Sequence, residues 1–389
     1  MDQRTYKLRD FAQDVSVAVK DAQSHHLDKF VGLEHYDSGE PVITRYTDTS
    51  LIMSSVKEFH KNDILIARRN VYLKRAGIAF FDGLTSGDSI ILRIFDDSDK
   101  RTGIPKEDAV RIIPFVLNSN DFWAYANKHA DGMNSKRISK EMLYDYEFSL
   151  PSLSEIRQLY SKLWAAYNLK DSYKKLLSAT DEMVKSQFIE MFGNPLSSIQ
   201  KNELKRLGDC CHINPRRSNV SLNENDLVSF VPMPAVNENG YIDGATDEEY
   251  GKVKKGFTYF ENDDVLFAKI TPCMENGKGA VAEGLTNGIG MGSTEFHILR
   301  PIKGISNPYW LLALTRMPIF RERAAKNMSG TGGQRRVGSA FLENFMVGLP
   351  SISEQDTFEA IYKQADKSKF ELRKSIDAID TVIKSLING

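Results

Sequence analysis

Two sets of basic and amide side chains are the residues best suited to chemistry in this chain. One is Arg68-Arg69-Asn70 with Lys74-Arg75, joined by Asn134-Ser135-Lys136-Arg137. The other is Lys269 with the turn Gly332-Gly333-Gln334-Arg335-Arg336. Arginine can grip the major-groove edge of guanine or a phosphate with two hydrogen bonds, and Asn or Gln can do the same for adenine. A Gly-rich turn that opens a helix also offers backbone N–H groups to phosphate. A solvated face is the ordinary reading of any single charge run. Here Arg137 and Arg336 stand 199 residues apart, equally far before a Leu-Pro-Ser, and Lys269 holds the place of Arg68. Recurrence sets DNA contact beside the ordinary reading.

Other chemistries find little footing. No Gly-x-x-x-x-Gly-Lys-Ser/Thr loop for ATP is present, and Thr331-Gly332-Gly333-Gln334 carries no such lysine. Asn194-Pro195 and Asn214-Pro215 lack the Pro-Tyr/Phe that an amino-methyltransferase pocket needs next. Cys210-Cys211-His212 crowds three zinc-type ligands that structural sites space by two to four residues. Asp263-Asp264 with Lys269 fits a metal-nuclease template only by force. Asp63 and Asp264 share a repeat position before a strand, where a turn-forming Asp is expected. No metal site and no catalytic constellation is expected.

The elements that must hold these residues occur twice. Leu8 and Leu207 open matching segments, and Leu150-Pro151-Ser152 is answered by Leu349-Pro350-Ser351 at the same 199-residue offset. Between them, Phe30-Val31 faces Phe230-Val231, Ser38-Gly39 faces Asn239-Gly240, and Ile91-Leu92-Arg93 faces Ile298-Leu299-Arg300. Phe59, Asp63, Leu65 and Ala67 face Phe260, Asp264, Leu266 and Ala268. Such a period far exceeds the ~20–50 residues of a solenoid unit, so a domain is used twice. Strands are expected at 63–67, 77–81 and 89–94, then at 265–268, 279–282 and 295–299. Helices are expected over 114–130 and over 309–323, the latter with Pro318 as a kink.

Each copy ends in a long helix. Residues 154–192 contain no Gly or Pro and place Ile156, Leu163, Leu177 and Val184 on one seam, interrupted by Lys170 and Asp181. Residues 353–386 repeat the pattern with Phe358, Leu372, Ile376, Ile379 and Ile383. Ser154 and Ser353 are the expected N-caps, and Gly193-Asn194-Pro195 the expected stop. Helices of about 50–60 Å most simply pair as an antiparallel coiled coil; the plainer alternative is that each covers its own domain.

The chain has 389 residues and a net charge of −1, so any nucleic-acid site must be a local patch. Three cysteines make no disulfide framework, and no run of about 18 apolar residues occurs. The first six residues lack a signal-peptide core, so a cytoplasmic chain with no membrane partner is expected.

These residues also carry a likeness. The Leu-x-Asp start, the Asp-x-Leu-x-Ala-Lys/Arg strand, the turn Ser329–Val337, the run Leu349–Gln355 and the terminal helix together strongly resemble the DNA-specificity (S) subunit of type I restriction–modification systems. The resemblance covers essentially the whole chain. It implies a mixed α/β (α+β) fold: two target-recognition domains, 1–150 and 194–350, separated by antiparallel spacer helices, 151–193 and 351–389. It implies a non-catalytic subunit whose domains each read half of a split target in double-stranded DNA. The helices would dock methyltransferase (M) subunits, two in number, and through them restriction (R) subunits. S-adenosylmethionine and ATP would bind only those partners. The first copy departs at the turn, with Ser135 for Gln334 and Met133-Asn134 for Gly-Gly, as two different half-sites would require. A free-standing methyltransferase or nuclease, and a scaffold that binds no DNA, are the alternatives.

Overall fold

The structure, a computed structural model, describes residues 4–19, 26–52, 56–133, 135–193, 204–217 and 220–388. The chain divides into two compact units, residues 1–174 with 374–389, and residues 175–373. The division runs through the two long helices, Leu153–Phe192 and Ile352–Asn388, rather than at their ends.

In the first unit one five-stranded sheet is ordered Ala12–Asp14, Ser89–Ile94, Ile64–Ala67, Ala76–Ala79, Val42–Ile43. A second sheet is ordered Val17–Val19, Val56–Phe59, Gly83–Ser86, Lys29–Val31, Thr47–Asp48. The apolar runs make the first sheet's central strands because both faces are covered, and Ile64 to Ala67 are all buried. The second unit repeats the order with Cys211–Ile213, Phe296–Pro301, Val265–Ala268, Gly279–Val281. Its other sheet runs Thr246–Glu249, Leu227–Val231, Ile289–Gly292, Thr258–Glu261. One close approach recurs: Gly83 pairs with Phe59 and Gly290 with Phe260. A Cβ on Gly290 would lie 2.0 Å from the Phe260 ring, and one on Gly83 2.8 Å from Phe59. Only glycine lets those fully buried rings lie across the neighbouring strand.

Both helix expectations need correction. The stretch read as one helix over 114–130 is two, Lys106–Val116 and Asn120–Lys128. Asn118 Nδ2 donates to the Pro114 carbonyl at 2.8 Å, and the Ser119 hydroxyl caps the second helix by accepting the Phe122 N–H. The stretch over 309–323 is likewise Pro308–Arg316 and Pro318–Lys326. Pro318 breaks rather than kinks it, since the residue before a proline, Met317, is pushed into extended backbone.

The long helices are capped two residues earlier than expected. The Ser152 hydroxyl donates to Glu155 Oε2 at 2.7 Å, and the same oxygen accepts the Ser152 N–H at 3.0 Å. Ser351 and Glu354 repeat this at 2.7 and 2.9 Å. These are reciprocal capping boxes, completed by the Glu155 and Glu354 N–H groups donating back to the serine hydroxyls at 3.4 Å. At the far end Gly193 adopts φ +74° and donates to the Ile189 carbonyl; Asn194 and Pro195 lie outside the described residues.

Each long helix contributes to both units. Ile156 and Leu163 of the first helix and Ile383 of the second are buried in the first unit's core, where Ile379 packs half-buried. Val184 and Phe358 are buried in the second unit's core with Trp310 and Phe320. Leu177, Leu372 and Ile376 are half-buried. In the second unit the helices run antiparallel, Asp181 meeting Lys369 and Phe192 meeting Phe358. The plainer alternative, one helix per domain, does not hold. Among the described residues no helix is long and apolar enough to cross a membrane.

Candidate nucleic-acid interface

The two basic clusters are built on the same backbone frame. In the second unit the strand Val265–Ala268 runs on past Lys269 to Thr271 and meets the turn: Thr271 N donates to Arg335 O at 3.0 Å, and Val337 N to Lys269 O at 2.9 Å. In the first unit Asn70 N donates to Lys136 O at 2.7 Å, and Ile138 N to Arg68 O at 3.0 Å. The bridges Ile270–Arg336 and Arg69–Arg137 fall at matching positions. The structure thus brings Arg68, Arg69, Lys136 and Arg137 together in one unit, and Lys269, Arg335 and Arg336 in the other.

An acid lies beneath each turn. Lys269 N donates to the Glu295 carbonyl and Arg68 N to the Asp88 carbonyl, so the two acids are equivalent. Glu295 receives Arg336 Nε at 2.9 Å and its terminal nitrogen at 2.8 Å. That guanidinium holds the Glu295 carboxyl below the usual range. Arg137 reaches Asp88 at 3.7 Å and Arg69 reaches it at 3.9 Å. Sequence reasoning missed both acids, although each directly precedes a matched strand.

Arg336 also donates to the Gln334 carbonyl at 2.9 Å, so at least three of its five N–H groups brace the turn itself. Arg75 is a brace too, donating to the Leu33 and Arg69 carbonyls at 2.9 and 2.8 Å. The exposed tips are left to different residues. In the second unit they are Gln334 and Arg335, on a turn in which Gly330, Gly332 and Gly333 all have positive φ. A Cβ on Gly330 would meet the Gln334 carbonyl at 2.8 Å. Arg335 pairs with Glu275 at 3.1 Å. In the first unit the tip holds Met133 and Lys136, both exposed, while Asn134 lies outside the described residues. There Arg69 Nε donates to the Ser135 hydroxyl at 2.8 Å, which in turn donates to Asn70. Lys74 is exposed beside Tyr72, which is 60% exposed on a short turn between left-handed Asn70 and Lys74. Tyr72 escaped sequence reasoning because nothing in its neighbours distinguishes it from a core aromatic.

The pairs before each strand are not simple turns. Asp63 receives Arg93 through Nε and a terminal nitrogen, both at 2.7 Å, and Asp264 receives Arg300 at the same two distances. Each carboxylate also closes its turn, accepting His60 N and Glu261 N. The turn role expected for them is therefore only part of their function. Cys210 and Cys211 are buried thiols, pushed up by burial to about 11 and about 12. Among the described residues no group of three or more His, Cys, Asp or Glu is placed to hold a metal ion.

Fold and site together define a duplicated mixed α/β architecture in which each copy presents a basic turn and roots on both long helices. Residues 199–379 match the type I restriction modification DNA specificity domain. Two Escherichia coli proteins are similar in sequence. The type I restriction enzyme EcoEI specificity subunit is 33% identical over 231 residues, covering 55% of this chain and 38% of that protein. The EcoAI specificity subunit is 38% identical over 182 residues, covering 45% and 30%. The chain thus matches well under half the length of either relative. A type I restriction–modification S subunit from M. genitalium shares the fold with a TM-score of 0.56 at 10% identity, over 99% of this chain and 95% of that one. A chain from a structure described as the basis of complex assembly and conformational transition of the type I R-M system gives 0.53 at 16%, over 99% and 96%. Over residues 199–379 the chain carries the likeness of that DNA specificity domain, and it is similar in sequence to specificity subunits of type I restriction–modification systems.

Proposed function

We propose that this chain is a non-catalytic, sequence-specific DNA-binding subunit whose two copies each read one half of a bipartite target. The observation that carries this reading is one frame with two tips. The backbone hydrogen bonds that join strand end, turn and acid-bearing segment recur, while Gln334-Arg335 replaces Ser135-Lys136 at the exposed end. Frame arginines such as Arg336 and Arg75 hold the turn; the tip residues, with Lys74, Lys269, Lys136 and Arg69, meet DNA. Phosphate contacts set register and base contacts carry the sequence, so a near-neutral chain suffices if partners supply further cations. The partners are methyltransferase subunits, two of them, docked on the long helices, with restriction subunits joined through them. S-adenosylmethionine and ATP sit on those partners, and the compartment is the cytoplasm.

The test is protection of one bipartite sequence by the full chain with its methyltransferase partner. Exchanging residues 203–348 for those of another specificity subunit should change one half of the protected sequence and leave the other intact. Loss of specificity in both halves would overturn the two-reader assignment.

A further inference from the structure

A second constellation, away from the turns, repeats with its chemistry rearranged. In the first unit Lys170 has a side chain only 7% exposed and pairs with Glu40 at 2.6 Å and with Asp380 of the second long helix. Lys174, one turn on, also binds Glu40 at 2.8 Å. In the second unit Lys369, 3% exposed, pairs with Asp181 and Asp366, each at 3.0 Å. Lys170 and Lys369 are 199 residues apart, as are Asp181 and Asp380. The two lysine–aspartate pairs are one interaction used twice.

What surrounds them is exchanged. Glu40 follows Gly39 and Tyr241 follows Gly240, the matched glycines both having positive φ, so Glu40 and Tyr241 share a loop position. Tyr167 and Asp366 share the helix position one turn before the lysine, and Lys174 and Arg373 the position one turn after it. The first unit therefore has its acid on the loop and its tyrosine on the helix. The second has tyrosine on the loop and acid on the helix, with the Tyr241 hydroxyl donating to Asp366 at 2.6 Å. Arg373 lies 4.9 Å from the Tyr241 ring centre, where Lys174 instead meets the Glu40 carboxylate. In each junction one buried lysine meets two carboxylates, and a second cation lies one turn on. Two further acids, Asp171 and Asp37, also act on Tyr167, and Asp37 is already held by Arg45 at 2.8 Å.

We propose that these residues are a positioning key that matches each globular domain to its own stretch of helix. Lys170 and Lys369 are buried, and a buried cation left without a partner keeps its cost of desolvation. A domain carrying Tyr241 placed on the first junction would take the Glu40 carboxylate from both lysines, leaving buried Lys170 with Asp380. A domain carrying Glu40 placed on the second would set three carboxylates against two cations. The key makes the two copies non-interchangeable despite their common fold. It rests on the two-reader assignment only for the domains' purpose, since the junction is defined without DNA.

The experiment uses the full chain with Trp310→Phe, so that Trp123 and Trp164 alone report melting of the first unit. Glu40→Tyr should lower that melting temperature on the order of 5–10 °C. Adding Tyr167→Asp, which recreates the second junction's arrangement inside the first, should restore at least half of the loss. If Glu40→Tyr fails to fold, Glu40→Gln gives a smaller drop, again recovered by Tyr167→Asp. A harmless Glu40→Tyr, or a double variant no better than the single one, would overturn the proposal. No DNA enters the measurement, so failure of half-site reading leaves its outcome unchanged.

Discussion

Two places on the molecule show how differently the copies have been constrained. At the end of the central strand, Asp63–Arg93 and Asp264–Arg300 are the same bidentate pair with the same distances. Two residues beyond the neighbouring strand's pairing position, the copies are opposites. Ile78 pairs with Ile64 as Val281 pairs with Val265, which makes Phe80 equivalent to Glu283. Phe80 packs on Trp164 with ring centres 5.8 Å apart, whereas Glu283 meets Lys363, the equivalent of Trp164, at 3.5 Å. The aromatic pair lines an open groove in the first unit with Tyr160, Val110 and Arg111. A buried ion pair cannot be varied one partner at a time, while a surface pair can be replaced by either kind of attraction. The pair is shared between copies where the carboxylate is buried, and it is replaced by another kind of contact where both partners are about half exposed.

The largest effect should come from breaking what the copies share. Asp264→Ala removes both of Arg300's bonds to the buried carboxylate, leaving it only Glu261 at 3.0 Å, and should cost about 3 kcal/mol in chemical denaturation. Asp63→Ala should cost less, because Arg93 is 37% exposed against 22% for Arg300 and can turn to solvent. Equal losses would show that exposure does not set the difference. Next come the tips. Arg335→Ala or Gln334→Ala should relax one or two positions of a single half-site by ~1–3 kcal/mol, read by protection of single-base target variants. Arg336→Ala should instead weaken all sequences alike, since its donors hold the turn. A sequence-selective loss at Arg336 would return it to the reading set.

A subtler divergence concerns pH. His297 occupies the strand position held in the first copy by Ile90. Its Nε2–H donates to the Val337 carbonyl at 2.8 Å and its Nδ1 accepts from Asn214 at 2.9 Å, which assigns the neutral tautomer. Burial holds its pKa below the ordinary 6.5. The unfolded chain therefore takes the proton first. This contribution is complete above about pH 6.5 and is lost as the pH falls below it. Hydrogen exchange should show the Met328–Val337 hairpin loosening between pH 7.5 and 5.5, with no such change in residues 131–138. Loosening that persists in His297→Asn would assign it elsewhere. The smallest effect is at the caps: Ser152→Ala and Ser351→Ala should each cost about 1 kcal/mol, equally in both copies.

The duplication, the central strands of one sheet in each copy and the helix seams were legible because they depend on periodicity and on self-comparison. The failures are of one kind. Lys170 and Asp181 read as flaws in an apolar seam because a seam shows one helix at a time. The partner that makes Lys170 sensible, Asp380, lies 210 positions away. The breaks near Asn118 and Met317 were hidden because apolar spacing continued across them, while a side-chain amide and a pre-proline residue ended the hydrogen bonding. Glu295, read as the first residue of a strand, and Asp88, just before one, went unnoticed because neither shows its role until an arginine closes on it.

The short antiparallel ladders carry a last implication. Arg4–Lys7 pairs with Glu147–Leu150, and Leu204–Arg206 with Met346–Gly348, so each copy enters and leaves through neighbouring strands. Such a doorway suits genetic recombination: crossovers within both strands of one ladder would lift out a whole copy and seat a foreign one. The cut would fall before residue 153 or 352, however, and leave the recipient's Tyr167 or Asp366 behind. The graft most readily accepted would come from the corresponding half of a donor, and new specificities would accumulate within two separate lineages of insert.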